Sequence, residues 1–179
     1  MIVVVDYDPV WPRLFETLQA PIWDAVADVA IAIEHVGSTA VPGLAAKPVV
    51  DMDVVVPPDQ VAAAIARLAR LGYEHKGDLG VPGREAFRYP VGMPRHHVYV
   101  CPTGTLALAN HLAIRDALRA DPSAARAYGA LKKRLAVACA DDVDAYVAAK
   151  TGFLLDLLQR AGFADRDLAD IARLNQPRR

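Results

Sequence analysis

Between Pro48 and Val56 the chain reads PVVDMDVVV, an apolar run interrupted by two carboxylates, Asp51 and Asp53. A stretch this rich in valine reads as a buried strand. Residues i and i+2 of a strand share a face, so Asp51 and Asp53 project together while Met52 and Val54 turn the other way into packing. Two buried like charges repel, and such a pair persists mainly where a cation or a shared proton neutralises it. Hard oxygen donors at neighbouring positions suit a divalent ion, magnesium or manganese, with nucleotide phosphates filling its other positions. Upstream, Gly37 and Ser38 follow the apolar run Val29 to Val36 and form a small polar turn, where backbone N–H groups can approach a phosphate without an intervening Cβ. Lys47 stands just before the strand, where it either reaches such a phosphate or remains a solvated lysine at the strand entry.

The flanking sequence supplies a scaffold of both helices and strands, an α+β pattern. MIVVV at the start reads as a short strand or a packed terminus. A helix is expected from Asp8-Pro9, with Asp8 as cap and Trp11, Leu14, Phe15 and Leu18 on its apolar face. Tyr7 and Trp11 read as packing aromatics. After Pro57-Pro58, the stretch Asp59 to Leu71 repeats Val61, Ile65, Leu68 and Leu71 at helical spacing, and Gly72 stops it. Val81 to Pro90 and His96 to Pro102 alternate as strands of a hairpin, so the sheet is mixed or antiparallel, and only the helix at 59–71 is placed to supply a crossover. Three alanine-rich helices follow, at about Leu106 to Arg119, Pro122 to Ala138 and Val143 to Ala161, with Asp121 and Asp141 or Asp142 as N-terminal signals. The tail holds room for one more short helix before a frayed basic end, NQPRR. A chain of 179 residues, 54% hydrophobic, suits one domain, with its sheet in about 1–104 and its helical part in about 105–175.

Charge and cysteine usage narrow the classes further. A formal net charge of −1 argues against a broad surface for duplex nucleic acid. Cys101 and Cys139 have no metal-ligand spacing and read as free thiols in a reducing compartment. No apolar run reaches membrane-spanning length and no leader pattern opens the chain, so a cytoplasmic location is expected.

A Gly-Ser turn followed by Asp-x-Asp on an apolar strand resembles the signature of the nucleotidyltransferase superfamily. The longer motif HVGSTAVPGLAAKPVVDMDVVV is similar to the opening motif of the GrpB family, and GYEHKGDLGVPGREAFRY, RHHVYV, IRDALRADP, AYGALKKRLA and DAYVAAKTGF resemble further GrpB segments in order. The resemblance implies a nucleotidyltransferase-like mixed sheet packed with helices and a C-terminal helical layer. It also implies a nucleoside triphosphate as substrate or ligand, with an acceptor left open. The family pattern carries a lysine at Lys47 and places Arg115, Lys132 and Lys150 in its Arg-Asp, Leu-Lys and Tyr-x-x-x-Lys elements, which implies nucleotide-side contacts. Spacing alone makes the same cations a solvated face.

The run Arg95-His96-His97-Val98-Tyr99-Val100 forms a second cluster, in which alternation pairs His97 with Tyr99 and sends only one histidine to the cleft. GrpB sequences commonly carry another histidine where this chain has Tyr99. Active nucleotidyltransferases draw a third carboxylate from a later strand, and residues 95–101 contain none, so Glu85 is the nearest acidic strand residue. Three readings follow: magnesium-dependent nucleotidyl transfer, a non-catalytic nucleotide- or coenzyme-binding module, and hydrolase or metal chemistry at the histidines. The second draws on the occurrence of similar domains joined to dephospho-coenzyme A kinase.

Overall fold

The computed structural model describes residues 1–176. Five strands form one mixed sheet in the order β1-β2-β5-β4-β3. They are β1 (Ala32–Val36), β2 (Val50–Val56), β3 (Glu74–His75), β4 (Glu85–Arg88) and β5 (His96–Pro102). β2 and β5 run parallel, and every other pairing is antiparallel. Parallel neighbours need a crossover, and α2 (Val61–Arg70) with the β3-β4 ribbon supplies it.

β2 is an interior strand, with neighbours on both edges and helices over both faces. Such a strand reads as a continuous apolar run. On one face Met52, Val54, Val98 and Val100 pack against Leu18, Ile22 and Val26 of α1 (Trp11–Val26) and Ala64 and Leu68 of α2. Over the other lie α3 (Leu106–Ala120), α4 (Pro122–Ala138) and α5 (Val143–Arg160), with α6 (Asp165–Leu174) packed on α5. The caps read from sequence are present: Asp121 accepts from the N–H groups of Ser123 and Ala124, and Asp142 from that of Ala145. Asp141 instead pairs with the N-terminal ammonium.

Several boundaries differ from expectation. α1 starts at Trp11, because Asp8 caps a tight turn by accepting from the Val10 N–H. The strand expected over 81–90 shrinks to Glu85–Arg88, since Gly77, Gly80 and Gly83 take positive φ and bend the chain before it. The two-residue β3 gave no sequence signal. From Pro177 onward the frayed end expected of the tail lies outside the described residues. Among the described residues, no helix is long and apolar enough to cross a membrane.

Alternation sorts the histidines of β5. His96 is fully buried on the α1/α2 side; its Nδ1 donates to the Pro94 carbonyl, and its Nε2 accepts from the Tyr73 hydroxyl at 2.8 Å. Burial lowers its pKa, and the Pro94 contact opposes that shift. Tyr73→Phe strips this acceptor of its partner and is expected to cost about 1–3 kcal/mol of unfolding free energy. Urea denaturation checks the loss, and binding on the opposite face is expected to stay unchanged.

Candidate functional site

Register across three strands builds the site. Asp51 lies opposite Val36 on β1 and His97 on β5, and Asp53 opposite Glu34 and Tyr99. Both carboxylates therefore face α3 and α5, together with Glu34, His97, Tyr99 and Cys101. Each has an imidazole partner, since His97 Nδ1 donates to Asp51 Oδ1 at 2.7 Å and His111 Nδ1 donates to Asp53 Oδ2 at 2.8 Å. Asp53 is fully buried, and its Oδ1 has no hydrogen-bond partner. The other buried side-chain atoms without one among the described residues, Arg84 Nε and Asn110 Oδ1, belong to residues lining a neighbouring cavity. Orphaned polar atoms are rare in native interiors, and three of them fall in this part of the molecule.

The Gly37-Ser38 turn closes over Asp51. Gly37 has φ +70°, and a Cβ built on it would overlap Asp51 Oδ2. The turn is anchored from below: His35 Nε2 donates to Thr39 Oγ1 at 3.0 Å, and that hydroxyl donates to the Val49 carbonyl at 3.2 Å. Desolvation, with help from Arg119 and Arg115, depresses the His35 pKa to about 4, against the opposing pull of Asp51. His35 is thus a neutral strut.

Three lysines converge above. Lys132 Nζ donates to Ser38 Oγ at 2.7 Å and sits 4.6 Å from the Tyr128 ring centroid. Lys47 and Lys150 flank the Tyr146 ring, at 4.5 and 5.2 Å from its centroid. Burial first, then mutual repulsion, pushes Lys132 down to about 7 and Lys150 to about 8, against the attraction of Asp51. Burial, with the nearby Arg95, lowers Lys47 as well. Lysines held in this way, short of counter-charge, are suited to an incoming anion. A cavity of about 260 Å³ bordered by Gly37, Ser38, Asp51, His111 and Lys150 offers the space. A second cavity of about 470 Å³ shares Asn110, His111 and Asn175 with it, and reaches Arg84, Thr105 and Arg173 of α6.

Other expected site residues stand apart. Arg115 is tied to Glu34 at 2.6 Å, to Asp116 and to the His35 carbonyl, so it bolts α3 to β1 and does not border the smaller cavity. Glu85 lies opposite Val100, on the α1/α2 face, and pairs with His75. His96 is on that face too. On the cleft face β5 therefore presents His97, Tyr99 and Cys101 and no carboxylate. Sequence reasoning missed His111 and the position of Cys101; the only signal for an imidazole was the general need of a buried carboxylate for a partner.

A model of the family described as GrpB protein matches residues 1–160. The chain belongs to the GrpB family. α6 lies beyond the matched span. A UPF0157 protein of Pseudomonas aeruginosa is 38% identical over 173 residues, covering 92% of this chain and 69% of the relative. One from Bacillus subtilis is 34% identical over 82% of this chain, which spans only 43% of that relative's length. A dephospho-CoA kinase of Mycolicibacterium paratuberculosis is 32% identical over 88% of this chain and 45% of its own. The crystal structure of GrpB from Enterococcus faecalis superposes with a TM-score of 0.78 at 34% identity, covering 94% of this chain and 98% of that one. Cid1 poly(U) polymerase with MgGTP bound superposes with a TM-score of 0.55 at 17% identity, covering 84% of this chain and 50% of that one. At that identity the likeness is of fold, and this GrpB chain has the nucleotidyltransferase type.

Two variants test the geometry. Gly37→Ala is expected to displace Asp51 and to cost roughly 1–3 kcal/mol in backbone strain alone, because φ +70° with ψ −171° is a region essentially only glycine adopts, read by thermal unfolding. Lys132→Met removes a buried charge, so stability is expected to rise by roughly 1–4 kcal/mol at neutral pH. The folded pKa of Lys132, about 7, lies below the ordinary 10.5, so the unfolded chain binds the extra proton between those values and parental stability climbs with pH there. The gain from Lys132→Met is therefore largest below pH 7. Tripolyphosphate affinity, by calorimetry, is expected to fall in this variant, and in the parent as pH rises through 7 to 8.

Proposed function

We propose that this GrpB protein transfers a nucleotidyl group from a nucleoside triphosphate to a hydroxyl acceptor, with Asp51 and Asp53 holding a divalent cation. The observation that carries this reading is the pairing of two same-face carboxylates with a glycine turn and three charge-starved lysines. The orphaned Asp53 Oδ1 supports a cation there. When bound, the ion, magnesium or manganese, would screen phosphate charge and polarise the phosphoryl oxygens.

The chain's own groups divide the remaining work. Backbone N–H groups of the turn and the Ser38 hydroxyl, whose oxygen already accepts from Lys132, orient the phosphates. Lys150 and Lys47 offset the charge of the β- and γ-phosphates. His97 donates through Nδ1 to Asp51, which leaves Nε2 of a half-exposed ring free to take the acceptor proton. The acceptor oxygen bonds to the α-phosphorus, the bond to the bridging oxygen breaks, and pyrophosphate leaves in line. The larger cavity takes the nucleoside or the acceptor. Unpaired Cys101 and Cys139 agree with a reducing, cytoplasmic setting.

A binding role without turnover is the second reading. β5 offers the cleft no carboxylate, and the similar segment in a dephospho-CoA kinase occupies less than half of that longer chain. Calorimetry with non-hydrolysable nucleoside triphosphates and magnesium or manganese, together with release of pyrophosphate from the natural triphosphates, separates the two. Transfer predicts both signals; a binding module gives only the first. Asp51→Asn and Asp53→Asn are expected to abolish the metal-dependent part of affinity with the fold retained, and Ser38→Ala to cost about 1 kcal/mol. Unchanged affinity in the two carboxamide variants would sink the site assignment.

A further inference from the structure

The floor of the cleft carries a donor set that no magnesium site requires. Cys101 lies on β5 two residues beyond Tyr99, and Tyr99 pairs with Asp53, so its thiol shares the carboxylate's face one step along the sheet. His111 descends from α3 onto the same point. One ligand atom from each of Asp53, Cys101 and His111 lies within 4.8 Å of the other two. A tetrahedral ion with bonds of roughly 2.1–2.3 Å needs donors roughly 3.4–3.8 Å apart, a closure that side-chain rotation supplies. The independent observation is Asp53 Oδ1, wholly buried and unpartnered.

We propose that Asp53, Cys101 and His111 bind a thiophilic transition-metal ion of the Zn2+ class, with its fourth position open to the cavities that His111 borders. Carboxylates and water serve magnesium, whereas thiolate and imidazole select zinc, cobalt and their neighbours. Three protein ligands and one open position is the arrangement of a reactive rather than a purely structural zinc site. On binding, the Cys101 thiol proton leaves to solvent, and the proton on His111 Nδ1 gives way to the ion while Nε2 takes one up, so the imidazole stays neutral. Without an ion the thiol remains protonated, held so by its burial and by the negative charge of Asp53. The inference shares only Asp53 with the proposed function, and at that carboxylate it puts an ion of the Zn2+ class in place of magnesium or manganese.

The test uses the full chain, stripped of metal and free of nucleotide, titrated with Co2+. Thiolate-to-cobalt absorption in the near ultraviolet is expected to saturate at one equivalent and to vanish when Zn2+ displaces the probe, with excess Mg2+ leaving it intact. Cys101→Ser is expected to abolish the band and Cys139→Ser to leave it. His111→Gln is expected to weaken Co2+ binding at least tenfold, and it serves where Cys101→Ser fails to fold by circular dichroism. A parent protein with no band, a band that survives Cys101→Ser, or unchanged affinity in His111→Gln would overturn the inference. A magnesium-dependent nucleotide complex in a protein lacking the cobalt band leaves the transfer reading standing and removes this one. A cobalt band in a protein that binds no nucleotide does the reverse.

Discussion

A carboxylate with no exposure at the centre of a sheet is the constraint around which this molecule is arranged. Asp53 sits between two paired strands and beneath α3, where an isolated charge is costly enough that its surroundings must answer it. His111 answers one oxygen; the other has no well-formed hydrogen bond among the described residues, with the Cys101 thiol the nearby group. The sheet could not relieve this by slipping one residue, because Met52 and Val54 would then leave the core packed by α1 and α2. Apolar packing on one face thus holds the polar atoms of the other in place. The orphaned oxygen is the part of this arrangement that the packing leaves open.

The lysines show the same economy from the opposite sign. Lys132 is almost wholly buried, held by the Ser38 hydroxyl, the Tyr128 ring and the attraction of Asp51, and crowded by Lys150 and Lys47. A chain selected for stability alone would place methionine or leucine there. The Gly37-Ser38 turn lies between these positive groups and Asp51, so lysines stand on one side of it and a carboxylate on the other. Stability given up at such positions is the usual signature of binding.

Much of this was legible in the sequence, for identifiable reasons. The shared face of Asp51 and Asp53 follows from a period of two, and the bounds of α4 and α5 follow from Asp121 and Asp142, because strand alternation and helix caps are local. What escaped depends on pairings between distant segments. Cys101 approaches Asp53 only because β5 pairs with β2 in one register across more than forty residues. His111 reaches Asp53 only through the rotation of α3 about its own axis. Lys132 looked like part of a solvated charge run, since helical spacing cannot tell that Ser38 lies opposite. The position of Arg115 was hidden for a related reason: it is held by Glu34, from a strand about eighty residues earlier.

The departures from the nucleotidyltransferase pattern fall together on β5, and they have one physical consequence. Where a third carboxylate would face the cleft, this strand offers His97, Tyr99 and Cys101. Offering imidazole nitrogen and cysteine sulfur in place of a carboxylate oxygen softens the donor set. Such a donor set is the one that suits a transition metal better than magnesium, as the proposed site of Asp53, Cys101 and His111 requires. It also gives Asp51 a histidine partner with a free ring nitrogen, a proton acceptor that a third carboxylate would have displaced. The substitution that weakens the expected metal chemistry therefore supplies another means of activating a hydroxyl. For that reason the absence of an acid on β5 does not by itself argue that the cleft is inert.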